Sequence, residues 1–406
     1  MTKILNVLNT REERQDFNLN DGNSQTIDGS KLVVFPGLID PHVHFRVPGM
    51  EHKEDWITGS KAAFNGGYTT VFDMPNTKPA TTTYQRLQDK MALIDSQIEK
   101  SGLPLNYRLF FGADKNNFQE IAKVKDQIVG IKIFMGASTG DLLMDDEGSM
   151  HAVYAIAKAF NLPIALHAED ELIIRSNTEK YKDETDFKYH SIIRCPEAAI
   201  SSVKLVIQLA KIYKVKSYLL HLSTKAEIDL VRAAKSENIP VYAETCPHYL
   251  FLDDSMYGKL AGLLKMNPPI RSIEEQDYIW KALNDGTIDT IASDHAPHTL
   301  TEKEQPLSKC PSGVPGIETT VPLMLTAYKQ GKISLDRLES LLYTNARNLF
   351  NLPFSHNLVF ANIVDYHPLT HDRLCTKVKW SPFTGMNLTG YPEYIFANDK
   401  LFSLKK

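Results

Sequence analysis

Cysteine is scarce in this 406-residue chain. There are four, Cys195, Cys246, Cys310 and Cys375, and none forms a Cys-x-x-Cys pair. That excludes a disulfide framework and a thiolate zinc knot. Long apolar runs are missing as well. None approaches the roughly 20 residues that cross a bilayer, and the stretch Met1 to Asn9 lacks the apolar centre of a signal peptide. A cytoplasmic location without a membrane partner is the expectation. Charge of one sign is not in excess either. The formal net charge of -4 offers no footing for nucleic acid or an anionic surface. No internal repeat or low-complexity tract is present. What remains is 43% hydrophobic and 23% charged, the make-up of a folded chain long enough for one large α/β domain and a smaller one.

One stretch organises the rest: Asp40-Pro41-His42-Val43-His44-Phe45-Arg46-Val47-Pro48-Gly49. It follows the apolar run Leu32-Val33-Val34-Phe35, which Pro36-Gly37 breaks and Leu38-Ile39 resumes, so it reads as the polar end of a buried strand. Residues two apart on a strand point the same way. His42 and His44 therefore project together, and Arg46 continues the row if the chain stays extended. Two imidazoles beside an acid make half of a metal site; two surface histidines at a loop mouth are the plainer alternative.

Strand-like and helix-like segments then alternate. Strands are expected near 32–40, 69–74, 107–111, 128–135, 163–167, 216–221, 240–245 and 287–294, with helices such as Trp56 to Asn65 (ended by Gly66-Gly67) and Pro196 to Tyr213 between them. Each return needs a crossover, which implies a parallel sheet, and eight strands close a barrel. A doubly wound sheet would want a glycine-rich phosphate turn after its first strand, where this chain has Asp-Pro-His-Val-His. The expected architecture is a (β/α)8 TIM-type barrel over residues 35–354. A small flanking β domain, residues 1–34 and 355–406, is built from both termini.

Chemistry collects at the strand ends: His42, His44, Lys132, His167, His221 and Asp294. A lone histidine after a strand is usually structural, but several converging on one barrel mouth make a metal site with nitrogen and carboxylate ligands, which suits zinc. Lys132 sits among Ile131, Ile133 and Phe134, where a protonated amine is costly. Burial lowers its pKa, and a neutral amine takes up carbon dioxide as a carbamate, an anionic group able to bridge two metals. The plainer alternative is a lysine snorkelling to the strand end. Two metals holding a hydroxide provide a nucleophile near neutral pH and polarise a carbonyl. Asp294 is placed to carry the proton to a leaving nitrogen. The reaction class is metal-assisted hydrolysis, or its reverse, at an amide-like carbon.

The motifs resemble one family closely. Asp40 to Pro48 resembles the first signature of the dihydroorotases in the amidohydrolase superfamily, and Ala292-Ser293-Asp294-His295-Ala296-Pro297-His298, with Lys303 following, resembles the second. Asp73-Met74-Pro75-Asn76-Thr77, Gly130-Ile131-Lys132-Ile133-Phe134, Ala165-Leu166-His167-Ala168-Glu169, Leu220-His221-Leu222-Ser223, Asn267-Pro268-Pro269-Ile270-Arg271 and Trp380-Ser381-Pro382-Phe383 fall in the family's order. The resemblance implies reversible cyclisation of N-carbamoyl-L-aspartate to L-dihydroorotate in pyrimidine synthesis, with two zinc ions per subunit. By that likeness His42 and His44 hold the more buried metal and His167 and His221 the other. Lys132, carboxylated, bridges them, and Asp294 is ligand and proton carrier. Arg46, Asn76 and His298 match the residues holding the substrate carboxylate, a task that suits an arginine fork. Asn267 is expected at the ring or ureido group and Thr139, with Ser138 second, on a loop that closes over substrate. The loop Ser312 to Glu318 is expected as a substrate wall; His52, His190, His248 and His295 are expected to be structural. A homodimer is the family expectation, and whether the chain associates with an aspartate transcarbamoylase is not readable from the sequence.

Two rivals remain. A hydantoinase or allantoinase shares barrel, metals and lysine, but a set made of Arg46, Asn76 and His298 favours a substrate with a free carboxylate. A non-catalytic dihydroorotase-like subunit would have lost ligands, and all six are in this sequence.

Overall fold

The computed structural model describes residues 1–136 and 142–404. Eight parallel strands follow one another in a single sheet: β1 (Leu38–Val43), β2 (Tyr68–Asp73), β3 (Asn106–Gly112), β4 (Gly130–Phe134), β5 (Ile164–His167), β6 (Ser217–Leu219), β7 (Val241–Thr245) and β8 (Thr290–Ile291). Every residue of β4, β5 and β6 is buried, as expected of strands covered by helices on one side and packed into a barrel core on the other. The sheet closes just beyond the ends of β1 and β8. Val43 and His295 form a parallel bridge there, and the His44 amide donates to the His295 carbonyl at 2.8 Å.

The crossover helices start where the side chains dictate. Asp55 accepts from the amides of Ile57 and Thr58, opening the helix Trp56–Asn65, whose Trp56, Ala62, Ala63 and Phe64 are buried. Thr224 and Glu227 form a reciprocal capping box at the head of Lys225–Ser236. The polar insertion after His167 folds into two helices, Glu171–Lys180 and Tyr189–Ile193.

The first expected strand proves to be two. Leu32–Pro36 pairs antiparallel with Leu358–Asn362 in a second, seven-stranded sheet built from the termini. Its other strands are Thr2–Leu8, Arg14–Leu19, Gln25–Asp28, Tyr391–Ala397 and Lys400–Ser403. The barrel begins only at Leu38. Gly37 marks the change of sheet: a Cβ there would lie 2.3 Å from Thr69 Oγ1, so only glycine lets the chain pass. Alternation along Leu32–Pro36 then serves two cores. Leu32 and Val34 join Ile4, Val7, Leu19, Phe360 and Tyr394, while Val33 and Phe35 face the barrel core. The last strand is also shorter than expected, because the chain leaves the sheet after Ile291 and carries Ser293 to His298 as loop.

Candidate active site at the C-terminal mouth of the barrel

The strand ends bring the six expected side chains to one place. His42, His44, Lys132, His167, His221 and Asp294 all line one narrow cavity at the C-terminal mouth, together with Arg46, Asn76 and Asn267. All six are nearly inaccessible to solvent. His42 Nε2 lies 3.3 Å from His44 Nε2 and 3.3 Å from Asp294 Oδ1, and His44 Nε2 lies 3.2 Å from the same oxygen. A second pair, His167 Nδ1 and His221 Nε2, is 3.0 Å apart. His221 and Asp294 take left-handed backbone angles, φ 41° and 43°, a strained state for non-glycine residues that the surrounding fold must hold.

Orienting groups decide which ring atoms face inward. Glu244, at the end of β7, accepts from His42 Nδ1 at 2.8 Å and is itself held by the Tyr218 hydroxyl at 2.5 Å. Asn76 Oδ1 lies 2.9 Å from His44 Nδ1. Both partners put the proton on Nδ1 and leave Nε2 with a lone pair. Glu169 stands 2.9 Å from His167 Nε2 and pairs with Arg194, so His167 presents Nδ1 instead. Buried lone pairs aimed at one another repel unless a cation or proton lies between them. His42, His44 and Asp294 have the geometry of a group that could hold a metal ion. Carboxylates that orient ligating histidines in this way are a usual feature of metal sites.

The charges agree with that reading. Burial opposes protonation of His44 and takes its pKa down to about 3. Burial works against ionised Asp294, but His42 and His44 more than offset it and hold the carboxylate well below its usual range. Burial lowers Lys132 to about 7, and its Nζ has no hydrogen-bond partner among the described residues. Such an amine is neutral in a large fraction of molecules near neutral pH.

The remaining expected residues flank this group. Arg46 does not continue an extended row: its φ is 65°, and the turn carries its guanidinium towards the β8 loop. There Nε donates to the Pro297 carbonyl at 3.2 Å, and a terminal nitrogen lies 3.1 Å from His298 Nε2. Arg46 is 2% exposed, and no carboxylate pairs with it among the described residues. Asn267 Oδ1 is buried without a hydrogen-bond partner among the described residues. Of the expected wall, Ser312 and Gly313 line the cavity. Gly313 has φ 139°, and a Cβ there would stand 2.5 Å from the Ala296 carbonyl. Lys303 holds that wall, donating to the carbonyls of Lys265, Pro311 and Gly313 at 2.8–2.9 Å. Thr139 and Ser138 lie outside the described residues. His295 sits between Glu54 and the Gly316 amide, and His190 contacts the Met266 carbonyl at 2.8 Å. Glu244 and Glu169 escaped sequence reasoning; an acid inside an apolar strand, as in Val241-Tyr242-Ala243-Glu244, was the available signal.

The model of the amidohydrolase family matches residues 33–343. Dihydroorotase of Methanosarcina acetivorans is 34% identical over 403 residues, 95% of this chain and 85% of that protein. The chain belongs to the dihydroorotase family of amidohydrolases. Multifunctional protein CAD of Squalus acanthias is 32% identical over 367 residues, which is 90% of this chain and 15% of that much longer one. Among solved structures, the L-hydantoinase (dihydropyrimidinase) of Arthrobacter aurescens superposes with a TM-score of 0.91 at 26% identity, covering 99% of this chain and 96% of that one. This amidohydrolase thus shares its backbone with hydantoinases, while its sequence aligns with dihydroorotases. No helix among the described residues is long and apolar enough to cross a membrane.

Proposed function

We propose that this chain is a zinc-dependent dihydroorotase, interconverting L-dihydroorotate plus water and N-carbamoyl-L-aspartate. The observation that carries the reading is Arg46: a guanidinium 2% exposed, without a carboxylate partner among the described residues, beside the histidine–aspartate group. An unpaired buried cation is costly and calls for an anion from outside. Dihydroorotate carries a carboxylate on its ring, whereas a plain hydantoin ring does not, which separates this reading from the hydantoinases that share the fold.

In this reading His42, His44 and Asp294 would hold one zinc ion, and His167 and His221 would hold a second. Lys132, once its neutral Nζ had added to carbon dioxide and lost a proton, would offer a carbamate as a further anionic ligand. Bound zinc brings the pKa of water towards about 7 and polarises a carbonyl. The chain's own groups do the rest. Arg46, Asn76 and His298 hold the ring carboxylate, and Asn267 offers its amide to the ring. Asp294 takes a proton from the attacking water and returns it to the ring nitrogen as the carbon–nitrogen bond opens. Reversal gives the cyclisation. Glu244 and Glu169 fix the His42 and His167 rings. The boundary expected at residue 35 moves to Gly37, because Leu32–Pro36 pairs in the terminal sheet, so residues 37–354 are taken as the catalytic domain, with 1–36 and 355–406 flanking it. A homodimer is proposed from the family resemblance.

The test is interconversion of dihydroorotate and carbamoyl-aspartate by protein stripped of metal and then given zinc. Activity that appears with zinc is expected. Turnover of hydantoin with none of dihydroorotate would sink the assignment.

A further inference from the structure

Lys53 has no part in the mechanism above, yet it is buried against His298, which stands beside Arg46 at the edge of the cavity. The lysine reaches in from the turn after Gly49, 8% exposed. Its Nζ lies 3.0 Å from His298 Nδ1 and 2.9 Å from Glu302 Oε1. Glu302 is in turn fixed by the cap of Leu300–Lys303, where its other oxygen accepts from the Thr299 amide at 2.9 Å. Lys53 is therefore a held cation and not a loose surface lysine.

His298 stands between two donors. Lys53 approaches Nδ1, and Arg46 approaches Nε2 at 3.1 Å, but Nε2 also lies 3.1 Å from the Ser312 carbonyl, which can only accept. A neutral imidazole has one donor and one acceptor nitrogen. With hydrogen on Nδ1, that hydrogen would meet an ammonium at 3.0 Å, with the Glu302 carboxylate only at 3.7 Å, and the Ser312 carbonyl would go unmatched. With hydrogen on Nε2, the ring accepts from Lys53 and donates to Ser312. Only the second arrangement satisfies both Lys53 and Ser312. It also leaves the Arg46 terminal nitrogen, which then finds a donor instead of an acceptor on His298, to give its hydrogens to an incoming anion. Burial and the neighbouring Arg46 keep His298 uncharged.

We propose that Lys53 is a positioning residue that fixes His298 as an Nε2–H donor, whose one hydrogen passes from the Ser312 carbonyl to the substrate carboxylate when that anion binds beside Arg46. This rests on the assignment of His298 to that carboxylate. Without Lys53, the ring can turn Nε2 into an acceptor for Arg46, and a lone pair then faces the carboxylate.

Steady-state kinetics on zinc-loaded enzyme test this. Lys53→Met should raise the KM for dihydroorotate about tenfold, the size of one charged hydrogen bond, with kcat within about twofold; Lys53→Arg should recover most of the loss. In a His298→Ala background, Lys53→Met should add nothing to KM, because both changes remove the same donor. An equal rise in both backgrounds, or no rise in either, overturns the proposal for Lys53. If His298→Ala itself leaves KM unchanged, the carboxylate assignment is what fails. Imidazole nitrogen NMR of the unmutated, zinc-loaded enzyme gives an independent readout, with the signal assigned by its loss in His298→Ala. Hydrogen on Nε2 is expected, and hydrogen on Nδ1 overturns the proposal even if Lys53→Met does not fold.

Discussion

At the scale of single residues, the site separates holding metal from holding substrate. Arg46 hydrogen-bonds to Pro297 and His298 and, among the described residues, to none of the expected metal ligands. Arg46→Ala should therefore raise the KM for dihydroorotate by about 10- to 100-fold, the loss expected for hydrogen bonds to a charged group, while zinc content by elemental analysis stays as in the parent protein. Lys132→Met should do the reverse and bring zinc below two per chain at equal protein, since an apolar side chain cannot take up carbon dioxide. The sequence made these residues legible because each follows an apolar run that ends abruptly. Thr-Val-Phe-Asp before Met74-Pro75-Asn76 and Ile-Ala-Leu before His167 need no structure to be noticed. Glu244 was less visible, since an acid two residues before a buried cysteine looks like the end of a strand. Lys53 left no trace at all: it sits among Glu51, His52 and Glu54, a composition that reads as solvent-exposed turn. Only the fold brings His298 to it from 245 residues away.

At the scale of elements, the capping box of Lys225–Ser236 carries an unusual burden. Glu227 is 2% exposed, and one oxygen accepts from the Ser223 and Thr224 amides and the Thr224 hydroxyl. Burial nevertheless pushes its pKa from 4.5 up to about 7, against the lowering effect of Thr224 and Arg271. Between those two values the folded state binds more proton than the unfolded one. Stability from this group therefore falls as pH rises from about 4.5 through 7, and its cost is fully present above that. Glu227→Gln keeps the box, because glutamine serves in that position too. Denaturant titrations should show the variant gaining on the order of 1–3 kcal/mol at pH 8 relative to pH 5, an upper-range conversion of that shift; an unchanged pH slope would count against the buried-acid account. Helix boundaries came readily from sequence, as Gly66-Gly67 and Pro196 show. The split of the first strand did not. Leu32 to Ile39 reads as one interrupted apolar run, and only the Leu32–Pro36 ladder with Leu358–Asn362 reveals that its first half belongs elsewhere.

At the scale of the whole molecule, chain order and barrel order coincide, so β1 and β8 are the farthest apart in sequence of any neighbours in the sheet. Alternation of strand and helix was enough to expect that ring. The make-up of the terminal sheet was harder to foresee, because Arg14–Leu19 and Gln25–Asp28 are too polar to announce themselves. The join between first and last strands lies at Val43 and His295, each one residue from a member of the His42, His44 and Asp294 group. Closing the ring and assembling that group are thus one event, and an ion gripped there would work as a clasp on the barrel. Chelation should speed hydrogen exchange at the His44 amide, which donates across the seam, more than at the Leu166–Leu219 level of the opposite wall, and zinc should reverse it. Equal acceleration on both sides would refute the clasp. For the zinc enzyme proposed above, the consequence is that loss of the ion would open the barrel along one line before it unfolded.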